Sequence, residues 1–284
     1  MRNFSIAGLQ LDLVKTGNLP LLADQIGAAK RRFPWLDMVV VSELACHGVS
    51  ADLAERLPGP SEEAFAGLAR QHDVWLIPGT LFERDGDRVY NTAPVIDPSG
   101  TVVARYRKIY PFYPYEEGVS GGQELCVFDV PKVGRFGLSI CYDIWFPEIT
   151  RSLVWMGAEV VINPSLTNTV DRDVELAQVR AGAASNQCYV FNVNGAGKLG
   201  WGRSIVCGPG GEILHQAGSG HEVFALELDL DCVARVRQRG WNGLGQVLKS
   251  FRDHTIAYPP YQPGAQSPAL AALGPLVKPG KPQR

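Results

Sequence analysis

GRFGLSICYDIWFPE, residues 134–148, is the stretch on which the reading of this chain turns. Residues 135–140 form an apolar, β-rich run. A helical pattern follows, with Pro147 near its first turn and Gly157 to stop it. A strand that gives way abruptly to a helix puts the residue at the change, Cys141, on the carboxyl edge of a sheet, where α/β proteins carry their sites. A nearby helix N-terminus favours the thiolate over the thiol. Taken without its neighbours, Cys141 reads equally well as a nucleophile and as a buried inert thiol.

On either side the rhythm repeats. Residues 4–11 alternate as a strand, 19–33 as an amphipathic helix, and 37–42 (DMVVVS) as a short strand buried on both faces. Ser61 is placed to cap a helix running to about His72, with Glu62 and Glu63 in its first turn. Residues 74–82 read as one strand, Asp85-Gly86 turns the chain, and strands 93–97 and 101–107 flank Pro98-Ser99-Gly100. Beyond the central stretch come a strand at 159–163, a helix from about 173 to 186, a strand at 189–194, a hairpin of 204–207 with 212–214, and a strand at 222–229. Interleaved strands and helices predict an α/β protein, and the adjacent hairpins predict a mixed sheet. No linker precedes residue 258, so residues 1–258 read as one domain and 259–284 as an extended Pro-rich C-terminal tail.

Composition narrows the class. A chain of 284 residues with 45% apolar and 20% charged residues can bury a core without disulfides or metal. The net charge of −2 comes with no basic stripe for nucleic acid and no polybasic run for a membrane. The start has no signal-peptide pattern and no stretch could span a bilayer, so the expectation is a cytoplasmic protein. The six cysteines make no C-x-x-C pair, and the five histidines have no metal-ligand spacing. Cys46, Cys126, Cys188, Cys207 and Cys232 read as inert buried thiols. Gly195–Gly200 fits G-x-G-x-x-G after a strand, but the WGRSIVCG that follows reads as a strand and not the helix that would hold a pyrophosphate. Lys198 lacks the Walker A spacing, and Gly137-Leu-Ser-Ile-Cys141 lacks the small residue that a Ser139 nucleophile would need after it.

Glu43 follows VVVS at a strand end, and Lys108 follows the strand TVVARYR. Each alone reads as a solvated charge. With Cys141 they supply what acyl transfer from nitrogen requires: a thiolate to attack carbon, a carboxylate to move protons, and a cation for the developing oxyanion.

SELACHG, YRKIYPF and LSICYDIWFPE, in this order, resemble the three signature segments of the nitrilase-like carbon–nitrogen hydrolases. GAEVVINPS and RAGAASNQCYVFNVN follow that family's course too, so the resemblance spans roughly residues 4–230. It implies a four-layer αββα sandwich, association into a homodimer or higher homo-oligomer, and a hydrolase without cofactor. It further implies that Glu43, Lys108 and Cys141 are the catalytic triad, with the Tyr142 backbone N–H joining Lys108 at the oxyanion. The family's second glutamate, eight residues past the lysine, falls on Glu116, with Glu117 beside it. Tyr113, Tyr142 and Trp145 are the expected substrate-binding residues. The expected reaction is cleavage of a small amide with release of ammonia through a Cys141 thioester. Within the family the rivals are a nitrilase and an N-carbamoyl amine or amino-acid hydrolase. Carbamoyl amino-acid hydrolases often carry arginine soon after the cysteine, where Ile144 and Trp145 stand here. Arg172 remains a candidate for a substrate carboxylate, and Asp171 or Asp173 for an amine. Outside the family, Gly195–Gly200 offers a dinucleotide binder. A non-catalytic scaffold is the other alternative, and the intact Glu43, Lys108, Glu116 and Cys141 set argues against it.

Overall fold

The computed structural model describes residues 1–113 and 115–277. Its elements follow in the order β1 (Asn3–Gln10), α1 (Leu19–Arg32), β2 (Met38–Val41), α2 (Pro60–His72), β3 (Trp75–Ile77), β4 (Leu81–Asp85), β5 (Arg88–Ile96) and β6 (Val102–Arg107). Then come β7 (Cys126–Val130), β8 (Gly134–Leu138), α3 (Pro147–Trp155), β9 (Val160–Ser165), α4 (Arg172–Asn186), β10 (Tyr189–Asn194), β11 (Ile205–Cys207), β12 (Ile213–Gln216) and β13 (Glu222–Asp229). Helices α5 (Leu230–Arg239), α6 (Val247–Asp253) and α7 (Pro268–Ala271) complete the described chain.

The unbroken apolar run of β2 is explained by what covers it. Met38 and Val40 face one way and Val39 and Val41 the other, as the two-residue period of a strand requires, and all four are buried. On one side, Val39 and Val41 join Leu9 of β1, Leu22 and Ile26 of α1, and Phe65 of α2 in a helix-on-sheet core. On the other, Met38 and Val40 join Phe136 and Leu138 of β8, Ile162 of β9 and Phe191 of β10 in a core between two sheets. The outer face of that second sheet packs Val161 and Val190 against Leu153 of α3 and Val179 of α4. Three cores separate four layers, helix–sheet–sheet–helix.

The first sheet runs β13-β1-β2-β3-β5-β4, with β6 also paired to β5, and the second runs β12-β11-β10-β9-β8-β7. Each is parallel at its centre, across β1-β2-β3 and β8-β9-β10, and antiparallel outside it. That is the mixed α/β architecture expected. The parallel strands all point their carboxyl ends towards one region, which is where the site is built.

Some local expectations are corrected. Residues 74–82 are two strands, because Pro78-Gly79 interrupts them. Gly79 has φ +83° and a Cβ there would lie 1.9 Å from the Ser42 carbonyl oxygen, so the chain can pass the end of β2 only as glycine. Gly59, not Ser61, is the N-cap of α2. The Ser61 hydroxyl instead donates to Glu55 at 2.6 Å. Strand β7 and helices α5 and α6 were not anticipated. The first is short, with Cys126, Phe128 and Val130 buried and Val127 and Asp129 facing out, while α5 begins where the Asp229 carboxylate accepts from the Cys232 N–H. Residues 252–277 are exposed and include α7 and a short 3-10 turn, Pro259–Tyr261. The last part of the expected tail, residues 278–284, lies outside the described residues. No helix among the described residues is long and apolar enough to cross a membrane.

Phe136 joins the layers: it is fully buried, with its ring 5.3 Å from that of Phe4 and 5.5 Å from that of Phe128. Phe136→Ala is expected to cost about 3–5 kcal/mol, read as a lower urea midpoint at unchanged slope.

Candidate active site

Three chain segments leave their strands at the same place. Glu43 lies just past β2, Lys108 directly follows β6, and Cys141 opens a short 3-10 helix, Cys141–Trp145, after β8. The Glu43 N–H donates to the Ser165 carbonyl at 3.2 Å, tying the end of β2 in one sheet to the end of β9 in the other. The Lys108 N–H donates to the Asn91 carbonyl at 2.8 Å. Cys141 and the residue after Glu43, Leu44, adopt left-handed backbone with φ 45° and 50°. Non-glycine residues in that region store about 1–3 kcal/mol of strain each. In return the chain bends sharply at both strand ends.

Glu43, Lys108 and Cys141 are 3%, 1% and 8% exposed. The Lys108 ammonium lies 2.9 Å from Glu43 Oε1 and 2.7 Å from Glu116 Oε2. The Asn91 amide donates to both carboxylates, at 2.8 Å to Glu43 and 3.2 Å to Glu116. Glu116 also accepts from the Phe112 N–H. Cys141 and the Glu43 carboxylate are close enough for each to shift the other's proton affinity. The Cys141 sulfur is 3.7 Å from Thr167 Oγ1, and that hydroxyl donates to Glu175 at 2.9 Å.

Burial raises the Glu43 carboxyl and the neighbouring Glu116 charge adds to it, while Lys108 pulls the other way. Burial works against the Lys108 charge but is outweighed by Glu43, Cys141 and Glu116, so the ammonium is held well above its ordinary range. Burial, and then the Glu43 charge, push the Cys141 thiol well up against the opposing pull of Lys108. The resting site is therefore a thiol beside a poised carboxyl, with a permanent cation between two acids.

The carbon-nitrogen hydrolase family model matches residues 5–238. The chain belongs to that family. It is 33% identical over 204 residues to omega-amidase NIT2-A of Xenopus laevis, covering 66% of this chain and 73% of that one. Nit3 of Saccharomyces cerevisiae, a member of the nitrilase superfamily, shares its fold with a TM-score of 0.77 and 29% identity, over 84% of this chain and 94% of that one. An amidase from Nesterenkonia sp. aligns with a TM-score of 0.72 and 25% identity, over 83% of this chain and 94% of that one.

In this carbon–nitrogen hydrolase a cavity of about 300 Å³ opens onto the cluster, lined by Glu43, Lys108, Cys141, Glu116 and Glu117 and by an apolar wall that includes Val49, Phe82 and Leu166. Glu116 is the acid that reaches the lysine. Tyr113, Tyr142 and Trp145 are not among the described residues that line this cavity. Phe112 and Tyr115 line the cavity, because the N–H groups of Tyr115 and Glu116 both donate to the Phe112 carbonyl and curl that loop over the site. Tyr113 turns its hydroxyl to the Val119 carbonyl instead. Tyr142 backs the cavity, packing on Phe112 and Phe146, and Trp145 packs with the α3 and α4 side. Arg172 is sealed from substrate: it holds Glu175 at 3.0 Å, the Asn192 side chain at 2.7 Å and the carbonyls of Gly202 and Arg203. Asp173 is exposed and paired with Arg203, Asp171 accepts from the Thr169 hydroxyl, and neither lines the cavity. Gly195–Gly200 is a packed turn ahead of β11. At Gly197 a Cβ would lie 1.8 Å from Asp12 Oδ1, which accounts for the glycine without a ligand. Among the described residues no group of His, Cys, Asp or Glu is arranged to hold a metal ion.

Asn91 and Asp143 were missed. An asparagine inside the apolar strand β5 was the available signal, since asparagine is depleted in strands. Asp143 is fully buried and accepts from the Ile140 N–H at 2.9 Å, the Tyr106 hydroxyl at 2.7 Å and the Tyr110 N–H at 2.9 Å. It thus ties the Cys141 bend to the Lys108 segment, and burial pushes its carboxyl up to about 6. Asp143→Asn would set an amide N–H against one of these donors. It is expected to lower stability by about 1–3 kcal/mol in a denaturant titration. A variant as stable as the parent would show that this carboxylate holds nothing together.

Proposed function

We propose that this chain hydrolyses the C–N bond of small carboxamides, releasing ammonia through a thioester on Cys141. The observation that carries the reading is the grouping of Glu43, Lys108 and Cys141 in the lining of one cavity, with the Glu43 carboxylate 2.9 Å from the Lys108 ammonium. The relatives named omega-amidase and amidase support an amide substrate over a nitrile.

The proposed steps assign roles to the residues grouped at the cavity floor, with the oxyanion role of Tyr142 taken from the family resemblance. Glu43 takes the thiol proton as the sulfur attacks the amide carbon. Lys108 and the Tyr142 backbone N–H face the oxyanion that forms. Glu43 returns the proton to nitrogen, the C–N bond breaks, and ammonia leaves behind an acyl thioester. Water enters, Glu43 takes its proton, and collapse of the second tetrahedral intermediate expels the sulfur, which recovers its proton as the acid departs. Glu116 and Asn91 keep Lys108 and Glu43 in register throughout.

We further propose that residues 1–258 act as one domain with a C-terminal tail, in the cytoplasm and as a homo-oligomer. The six free thiols fit a reducing compartment. Exposed Trp155, Val247, Ile256 and Tyr258 offer apolar surface that a second copy would cover. Sedimentation of the full chain at a single-subunit mass would refute the association.

Ammonia release from a panel of small amides, nitriles and N-carbamoyl amines tests the reaction. Wild type is expected to act on amides, with Cys141→Ala down on the order of 10³-fold or more and Glu43→Gln down by about 10²–10⁴-fold. Release that survives in Cys141→Ala would sink the thioester route.

The pH profile has a defined sign. Glu43 must be ionised to accept the proton, and its carboxyl titrates above the ordinary glutamate value. Activity should therefore fall, as pH drops, through a midpoint above about 4.3. The thiol and ammonium are also held up, so no loss is expected near the ordinary cysteine value of about 8.5. A kcat/KM profile with its acid limb at or below the ordinary glutamate value would contradict the assignment of Glu43.

A further inference from the structure

We infer that Thr167 and Glu175 are positioning residues for the Cys141 nucleophile. Glu175 accepts the Thr167 hydroxyl proton, so the hydroxyl oxygen faces the sulfur only as an acceptor and holds it as a neutral thiol until Glu43 removes the proton. This rests on Cys141 being the nucleophile of the reaction proposed above, and it adds two residues that lie behind the cavity.

The geometry starts at the sulfur. Thr167 Oγ1 lies 3.7 Å from Cys141 Sγ and donates to Glu175 Oε1 at 2.9 Å. A hydroxyl has one proton to give. With that proton committed to Glu175, lone pairs meet the sulfur, and between the two groups only the S–H donates. The backbone that carries the hydroxyl is pinned. The Thr167 N–H donates to Asn194 Oδ1 at 2.8 Å, and the Thr167 carbonyl accepts from the Asn194 amide at 3.0 Å and the Trp201 N–H at 2.9 Å. Glu175 is held as firmly. Its second oxygen takes Arg172 Nη1 at 3.0 Å, and Arg172 directs its other donors to Asn192 and to the carbonyls of Gly202 and Arg203. A carboxylate paired with a guanidinium accepts hydrogen bonds and does not donate them, which fixes the direction of the Thr167 bond.

Thr167, Glu175 and Arg172 are all buried, and none lines the cavity. A buried ion pair is a poor stabiliser, because desolvation offsets most of its attraction. Stability alone therefore does not account for one placed a single hydroxyl away from the sulfur. Among the described residues, the charged groups that act on Cys141 are Glu43 beyond β2, Lys108 beyond β6, and Glu175 and Arg172 of α4. Burial and the Glu43 charge raise the thiol, Lys108 lowers it, and Glu175 raises it again. A sulfur kept neutral at rest resists oxidation and alkylation, since both follow the thiolate. During attack the S–H turns from Thr167 to Glu43, the proton passes to that carboxylate, and the sulfur electron pair bonds to the substrate carbon.

The test titrates Cys141 in the full chain without substrate. The signal is the ultraviolet thiolate absorbance of each protein minus that of the same protein carrying Cys141→Ala. In the wild-type protein it is expected to emerge only above the ordinary cysteine value of about 8.5. Glu175→Gln keeps the shape and removes the charge. It is expected to move the onset down by about one pH unit, which is about ten-fold more thiolate at a given pH. Thr167→Val leaves the Glu175–Arg172 pair intact and is expected to move the onset the same way, whereas Thr167→Ser, which retains the hydroxyl, is expected to titrate as wild type. Should Glu175→Gln not fold, the Thr167 pair decides. Loosened packing would not produce a shift that serine restores. Thiolate present at neutral pH in the wild-type protein, or Thr167→Val titrating with it, overturns the inference. Because no substrate is used, a failure to release ammonia from amides would refute the hydrolase reading and leave the titration standing.

Discussion

A lysine ammonium with almost no solvent contact sits between two carboxylates, and the layout of the molecule follows from what that requires. Removing each ion from water costs several kcal/mol even after relaxation, and only close partners with further hydrogen bonds offset it. Here Glu43 and Glu116 lie within 2.9 Å of Lys108, and Asn91 donates to both. Every partner comes from a different segment: the end of β2, the middle of β5, the end of β6 and the loop after it. The cluster can exist only when those segments are held rigidly, so the stability of the sheet and the chemistry of the site are the same problem.

The four-layer build supplies that rigidity. Both faces of β2 and of β9 are covered, so their ends do not fray, and the Glu43–Ser165 backbone bond stitches the two sheets together at the site itself. Asp143 does the same on the other side, gathering donors from the Cys141 bend, β6 and the loop beyond Lys108. The strain at Leu44 and Cys141 is tolerated because the surrounding packing leaves those residues no other course.

The burial that holds the charges also sets their protonation. Burial raises the Glu43 carboxyl, which makes it a stronger base towards the neighbouring thiol, while the cation beside them stays charged.

Much of this was legible in the order of residues. The alternation of apolar strand and amphipathic helix declares an α/β chain, because periods of 2 and 3.6 are local properties of the backbone. The three residues Glu43, Lys108 and Cys141 were readable as candidates because they sit at the ends of regular elements that the sequence marks, whereas Glu116, in a loop, was reached only through the family resemblance. Interior contacts between distant segments were not. Whether Tyr113 or Phe112 faces the cavity depends on how one loop curls. Whether Arg172 is free or sealed depends on Glu175, one turn along the same helix, and on Asn192, which the fold brings beside it from β10. The break at Pro78-Gly79 depends on how near β2 passes. Sequence determined the elements and the chemical groups at their ends; tertiary structure decided which of those groups meet, which are neutralised and what the cavity admits. Local periodicity is written in neighbouring residues, whereas a hydrogen bond or an ion pair across many residues exists only once the layers have packed.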